Sequence, residues 1–132
     1  MADVQGFGRG NVCIETLSAV TLLTCDQARS IRFYQSLGFE MESGGPDAPL
    51  TSFRAGAARL NLLPTAKAMP PPAWGRVVFH VADVDALYAC ALEQGHAPLA
   101  PPRDAEWGER FFHLRDPDGH ELSFARPLDN AG

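Results

Sequence analysis

Residues 17–39 read LSAVTLLTCDQARSIRFYQSLGF, and residues 74–95, offset by 57 positions, read WGRVVFHVADVDALYACALEQG. The offset sets Ala19 on Arg76, Asp26 on Asp83 and Gly38 on Gly95 without an insertion. An apolar stretch, an aspartate and a glycine recur in that order, which marks a duplicated supersecondary unit. In each copy a β-branched apolar run stops where the hydrophobic period changes, and the change predicts a strand followed by a helix. Asp26 and Asp83 stand where a side-chain oxygen can accept from the free amides of a first helical turn. Ile31, Tyr34 and Leu37 share one face of the first helix, and Val84, Leu87, Tyr88, Ala91 and Leu92 form an amphipathic stripe on the second. Gly38 and Gly95 fall where a left-handed residue ends a helix.

Working outward, short apolar runs separated by turn residues follow each helix. They predict strands over residues 39–41, 50–54 and 59–63 in the first copy and 97–99, 110–115 and 121–126 in the second. Each copy then reads β-α-β-β-β, an α+β fold of two tandem modules. Module one spans 17–63 and module two 75–126, within a single domain over 17–128. The intervening PTAKAMPPPAW, residues 64–74, is an extended proline-rich linker. Residues 1–16 and 129–132 are expected to be loose tails, the first polar and glycine-rich with no apolar signal core.

A length of 132 residues suits one compact domain. The net charge of −5 and the absence of any Lys/Arg cluster argue against nucleic acid as a partner. No run approaches the ~18 apolar residues of a membrane span. Three cysteines, Cys13, Cys25 and Cys90, are odd in number and lack CxxC spacing, which points away from a disulfide framework and toward a reducing cytoplasm.

Alternation along a strand assigns Val77, Phe79 and Val81 to the helix side of the second copy and Arg76, Val78 and His80 to the opposite face. In the first copy Val20 and Leu22 face the helix, while Ala19, Thr21 and Leu23 face away. Two sheets curved toward each other would enclose the faces turned away from the helices as a cavity. The DPDG turn at 116–119, with Gly119 left-handed, pairs Asp116 with His120 and so sets His113 across from Ser123.

These pieces resemble the vicinal oxygen chelate superfamily, which includes glyoxalase I, bleomycin resistance proteins, fosfomycin resistance enzymes and extradiol dioxygenases. The resemblance covers residues 17–126. It rests on AVTLLTCDQARSIRFYQSLGFE, with its Asp-x3-Ser-x2-Phe-Tyr-x2-Leu-Gly-Phe pattern, and on GRVVFHVADVDAL followed by DPDGHELSF. It implies paired βαβββ modules forming a half-open barrel around a cavity, in a homodimer. In metal-dependent members a His opens the first strand of each module and a carboxylate, Gln or His lies on the last. Those places fall on Ala19, Arg76, Asn61 and Ser123. Ala has no donor, Arg is a permanent cation, and neutral Asn and Ser are feeble ligands, so the metal site is expected to be absent and no cofactor is implied. A relocated site of His80, His113 and Glu121 would spread its donors over about six residues, roughly 20 Å, whereas ligands of one ion lie within about 2.6 Å of it.

Two readings of Arg76 stay open: an ion pair with Glu121 or Glu106, or a guanidinium standing in for the metal and offering donors to a carboxylate, enolate or carbonyl oxygen. Thr21, Asn61 and Ser123 would add neutral hydrogen bonds. His113 is either a hydrogen-bonded wall residue or the one general acid/base candidate, and Trp107 either stacks on a ligand or packs on the sheet edge. His80, His96 and His120 read as structural or exposed, Trp74 as an inter-module or dimer plug, and Phe33, Tyr34 and Tyr88 as core. The function expected is a metal-free protein holding a small organic molecule between the modules. The alternative is an enzyme of lyase, isomerase or dioxygenase type, with an atypical metal site or acid/base chemistry at His113. A degenerate relative that keeps only its dimer interface is the third possibility.

Overall fold

The structure, a computed structural model, describes residues 13–66 and 72–128. Module one comprises β1 (Ala19–Thr24), α1 (Gln27–Ser36), β2 (Met41–Ser43), β3 (Thr51–Ala55) and β4 (Ala58–Pro64). Module two comprises β5 (Arg76–His80), α2 (Val84–Glu93), β6 (Arg103–Asp104), β7 (Glu109–Arg115) and β8 (Glu121–Pro127). The sheets run β1-β4-β3-β2 and β5-β8-β7-β6, each with its first and last strands parallel and the rest antiparallel. This is the α+β arrangement of two tandem modules, and the sheets are not closed into a barrel.

Helix boundaries follow local chemistry. Asp26 accepts from Arg29 N–H and Asp83 from Ala86 N–H, each at 3.0 Å and with nearly equal backbone angles, φ −147° and ψ 91° or 100°. Gly38 and Gly95, at φ 96° and 85°, follow the last turns in a conformation that a Cβ would strain. The DPDG turn closes as its sequence predicts, with Gly119 at φ 89° and Asp116 N–H donating to His120 C=O at 2.9 Å, and His113 pairs with Ser123.

The helix-side faces of both sheets bury a single core. Leu22, Phe53, Leu60 and Leu62 from module one join Val77, Phe112, Leu122 and Phe124 from module two around Tyr34. Phe39 bridges the halves, its ring edge-on to Phe79 at 5.1 Å and to Phe124 at 6.4 Å.

Several boundaries differ from expectation. Phe39 is not in a strand, because its N–H caps α1 through Tyr34 C=O and its ring turns into the core; β2 starts at Met41. Residues 97–99 do not form a strand. Pro98, Pro101 and Pro102 withhold ladder donors, leaving one bond from Leu99 N–H to His113 C=O, and β6 forms at Arg103–Asp104 instead. Pro64, assigned to the linker, is the last residue of β4. On α2, Leu92 is half exposed while Cys90 turns toward α1, its thiol donating to Ser36 C=O at 3.4 Å. Residues 1–12 of the expected N-terminal tail, 67–71 of the linker and the tail 129–132 lie outside the described residues. Among the described residues no helix is long and apolar enough to cross a membrane.

Candidate functional site

The candidate residues lie on the sheet faces turned away from the helices, where strand register sorts them into two groups. On module one, Thr21 pairs with Asn61, which pairs with Ser52. Asn61 Nδ2 donates to Thr21 Oγ1 at 3.2 Å and its Oδ1 accepts from Ser52 Oγ, so the amide is engaged at both ends. On module two, Arg76 pairs with Glu121 and Val78 with Ser123, which in turn faces His113. Among the described residues no hydrogen bond joins the two groups.

Arg76 meets both readings in part. Its Nε and Nη2 donate to Glu121 Oε1 at 3.2 and 3.1 Å, and its Nη1 lies 3.3 Å from His113 Nε2. An arginine can only donate, so His113 Nε2 accepts and the ring proton sits on Nδ1. That Nδ1 is buried and has no partner. Burial first, and the Arg76 charge second, hold the imidazole below its ordinary pKa of 6.5, which keeps it neutral near pH 7. Ser123 is buried in the adjacent strand. The result is a half-exposed guanidinium able to donate to a ligand oxygen, with a buried, unpartnered imidazole N–H and a buried hydroxyl on the neighbouring strands.

An aromatic ledge continues the same face. Trp107 is 70% exposed, stacks on Phe111 at 5.6 Å and donates Nε1–H to Glu109 at 3.0 Å. Phe111 contacts His113 at 4.9 Å and carries the Arg103 guanidinium 5.0 Å above its ring. Glu109 also binds His80, and these hydrogen bonds, Trp107 first, lower its pKa.

The other histidines serve structure. His120 is buried, accepts from Trp74 Nε1 at 3.2 Å and donates Nε2–H to Leu23 C=O of module one at 2.8 Å. His96 packs on Phe33 at 4.6 Å and lies 2.8 Å from Ser36 Oγ.

Sequence reasoning missed a buried polar junction between the modules. Tyr34, read simply as core, donates its hydroxyl to Asp116 at 2.7 Å, and Ser30 donates to Asp118 at 3.0 Å. Asp118 also accepts from Cys25 N–H at 3.0 Å and Arg29 Nη2 at 3.3 Å. Burial raises the pKa of Asp116. Asp118 is subject to the same desolvation, but the donors around it prevail and lower its pKa. Ser30 and Tyr34 share one helix face and two carboxylates stand in one tight turn, but no local pattern joins the two across 82 positions.

The four places where the resembling enzymes hold a metal do not fit one here. Ala19 offers no donor, Arg76 is cationic, the Asn61 amide is spent on Thr21 and Ser52, and Ser123 is a neutral hydroxyl. Among the described residues no three His, Cys, Asp or Glu side chains gather closely enough to hold an ion.

Residues 16–124 match the family model of the Glyoxalase/Bleomycin resistance protein/Dioxygenase superfamily. An uncharacterized protein of Mycobacterium bovis is 30% identical over 133 residues, covering 87% of this chain and 86% of that protein. A crystal structure of a glyoxalase/bleomycin resistance protein/dioxygenase from Nocardioides superposes with TM-score 0.69 at 22% identity, covering 98% of this chain and 95% of the other. A superfamily member from Sphaerobacter thermophilus gives 0.70 at 23%, over 86% and 98%. TioX from Micromonospora gives 0.69 at 22%, over 86% and 100%.

Proposed function

The chain belongs to the Glyoxalase/Bleomycin resistance protein/Dioxygenase superfamily, and from that premise we propose that it is a metal-free binding protein for a small organic molecule. The observation that carries this reading is Arg76 at a strand opening where metal-dependent relatives place an imidazole, in contact with the neutral His113. The ligand carries a carbonyl or carboxylate oxygen that accepts from the half-exposed Arg76, which Glu121 and His113 hold in place, and a flat group that lies along the exposed Trp107 ring. From the equivalent face of module one Thr21, oriented by Asn61, adds its hydroxyl proton.

A homodimer fits this arrangement. Leu23, Leu63 and Val78 are each 40–50% exposed on the same faces as the candidate residues, and a second copy would cover them while closing the site from water. Three free cysteines support a reducing, cytoplasmic location.

The test is a thermal-shift screen of small aromatic carboxylates and carbonyl compounds, with metal analysis of protein purified without chelators. A hit whose stabilisation is lost in Arg76→Ala and His113→Ala, with only trace metal, supports the reading; stoichiometric metal, or no stabilising compound at all, sinks it. A second reading, enzymatic proton transfer, is favoured by one observation: His113 is neutral near pH 7, and the Nε2 lone pair that would take up a proton is held only by Arg76 Nη1 at 3.3 Å. It predicts turnover of a bound hit that disappears in His113→Gln while binding persists.

A further inference from the structure

The fold contains the same inter-module seam twice. The 57-residue offset that relates the modules also sets Leu17 on Trp74. The strand register, Ala19 beside Arg59 and Arg76 beside Glu121, sets Ala58 on His120. At the seam along β1, Pro72 and Trp74 lie over Val20 to Leu23, the indole bonds His120, and a space of about 290 Å³ remains. At the twin seam along β5, Leu17 and Ala58 stand in for the indole and the imidazole, and the space is about 570 Å³.

The larger cavity has the size of a small-molecule site. Its walls are apolar and come from both modules: Phe39, Leu60, Val77, Phe79, Leu87 and Phe124. Phe79 and Phe124 stack at 5.6 Å, and Phe39 meets Phe79 edge-on, so ring faces and edges are already fixed around the space. The basic side chains lining it are partnered: Arg54 and Arg59 share Glu42, and His80 bonds Glu109. Glu40 adds a carboxylate to the lining. Nothing there invites an anion. None of Thr21, Asn61, Arg76, Trp107, His113 or Ser123 lines this space, which touches the face described above only through Ala19, Val78 and His80.

We propose that this cavity binds an uncharged, flat aromatic molecule of one or two fused rings, which takes the place that the Trp74 indole occupies at the twin seam. The fold itself supplies the precedent, since the same backbone corner is completed by an aromatic plane on one side and left incomplete on the other.

Titration of the full chain with indole, followed by amide NMR, tests it. Shifts are expected at Val77, Phe79, Val81 and Leu87, saturating with a Kd below about 1 mM. The double variant Leu17→Trp, Ala58→His installs the twin's plug and is expected to weaken indole at least tenfold. Leu87→Trp, which fills the space from α2, gives the same answer should the double variant not fold. Shifts confined to Trp107 and His113, no shift up to the solubility of indole, or undiminished binding in the plugged protein would each overturn the proposal.

Discussion

Two seams join the modules through equivalent backbone, and their chemistry is opposite. Where the hairpin of module two reaches α1, Asp116 and Asp118 accept from Tyr34, Ser30, Cys25 and Arg29, and His120 ties Trp74 to Leu23. Where the hairpin of module one reaches α2, its corner is Ala55, Gly56, Ala57 and Ala58, which have no side chain long enough to repeat any of these bonds, and a cavity opens. Duplication therefore fixes where a seam lies, while the side chains decide whether it becomes a clamp or a site. One seam holds the two halves in register, which leaves the other free to keep an apolar space that would weaken a domain joined there alone.

The comparison breaks most visibly at Asp118. Asp118→Ala removes the acceptor of three partners at once, and the expected loss is about 3 kcal/mol, read from the urea midpoint at constant m. Ala57→Ser, at the equivalent hairpin tip of module one, changes stability by less than about 0.5 kcal/mol. Equal effects at the two tips would mean that the seams share the load. Tyr34→Phe comes next: it removes one bond to a buried carboxylate and costs about 1.5 kcal/mol. Trp74→Leu sharpens the comparison further by making the two seams alike. The ring is half exposed, so the cost is only about 1 kcal/mol, but the chain is expected to take up two indoles instead of one by calorimetry.

Much of this was legible in the sequence, for a physical reason that also marks the limit. Caps at Asp26 and Asp83, stops at Gly38 and Gly95 and the pairing of His113 with Ser123 are decided within a few residues, by amides that need an acceptor and turns that need a left-handed glycine. The partner of Tyr34 is 82 positions away, and nothing in the helix announces that its hydroxyl is spoken for. The strand expected at 97–99 lies instead at Arg103–Asp104, because β6 is held by its neighbour β7 rather than by its own pattern. The candidate site was legible as a set of residues on two faces. That Arg76 binds Glu121 and His113 together depends on register between β5, β8 and β7, whereas the sequence alone leaves Glu121 and Glu106 open as its partner and does not pair it with His113.

The smallest effect expected is on pH dependence, and it too divides the modules. All four histidines lie in module two, and two of them, His96 and His113, are held below their ordinary pKa of 6.5, burial being the first cause for each. A histidine depressed in the folded state binds its proton later than in the unfolded chain, so its stabilising contribution is complete above pH 6.5 and is lost as the pH falls toward the folded value. Melting temperature should therefore fall by about 1–3 °C between about pH 7.5 and 5.5. His96 has a defined reason to resist protonation: Ser36 already donates to Phe33 C=O, so His96 Nε2–H donates to Ser36, and the ring lies against Phe33 with no anion beside it. His96→Gln keeps a donor for Ser36 and removes the titration, so it should flatten the pH profile with little change at pH 7.5. An unchanged slope would assign the effect to His113, and with it to the sheet face of module two turned away from its helix rather than to the packing of α1 against the second half.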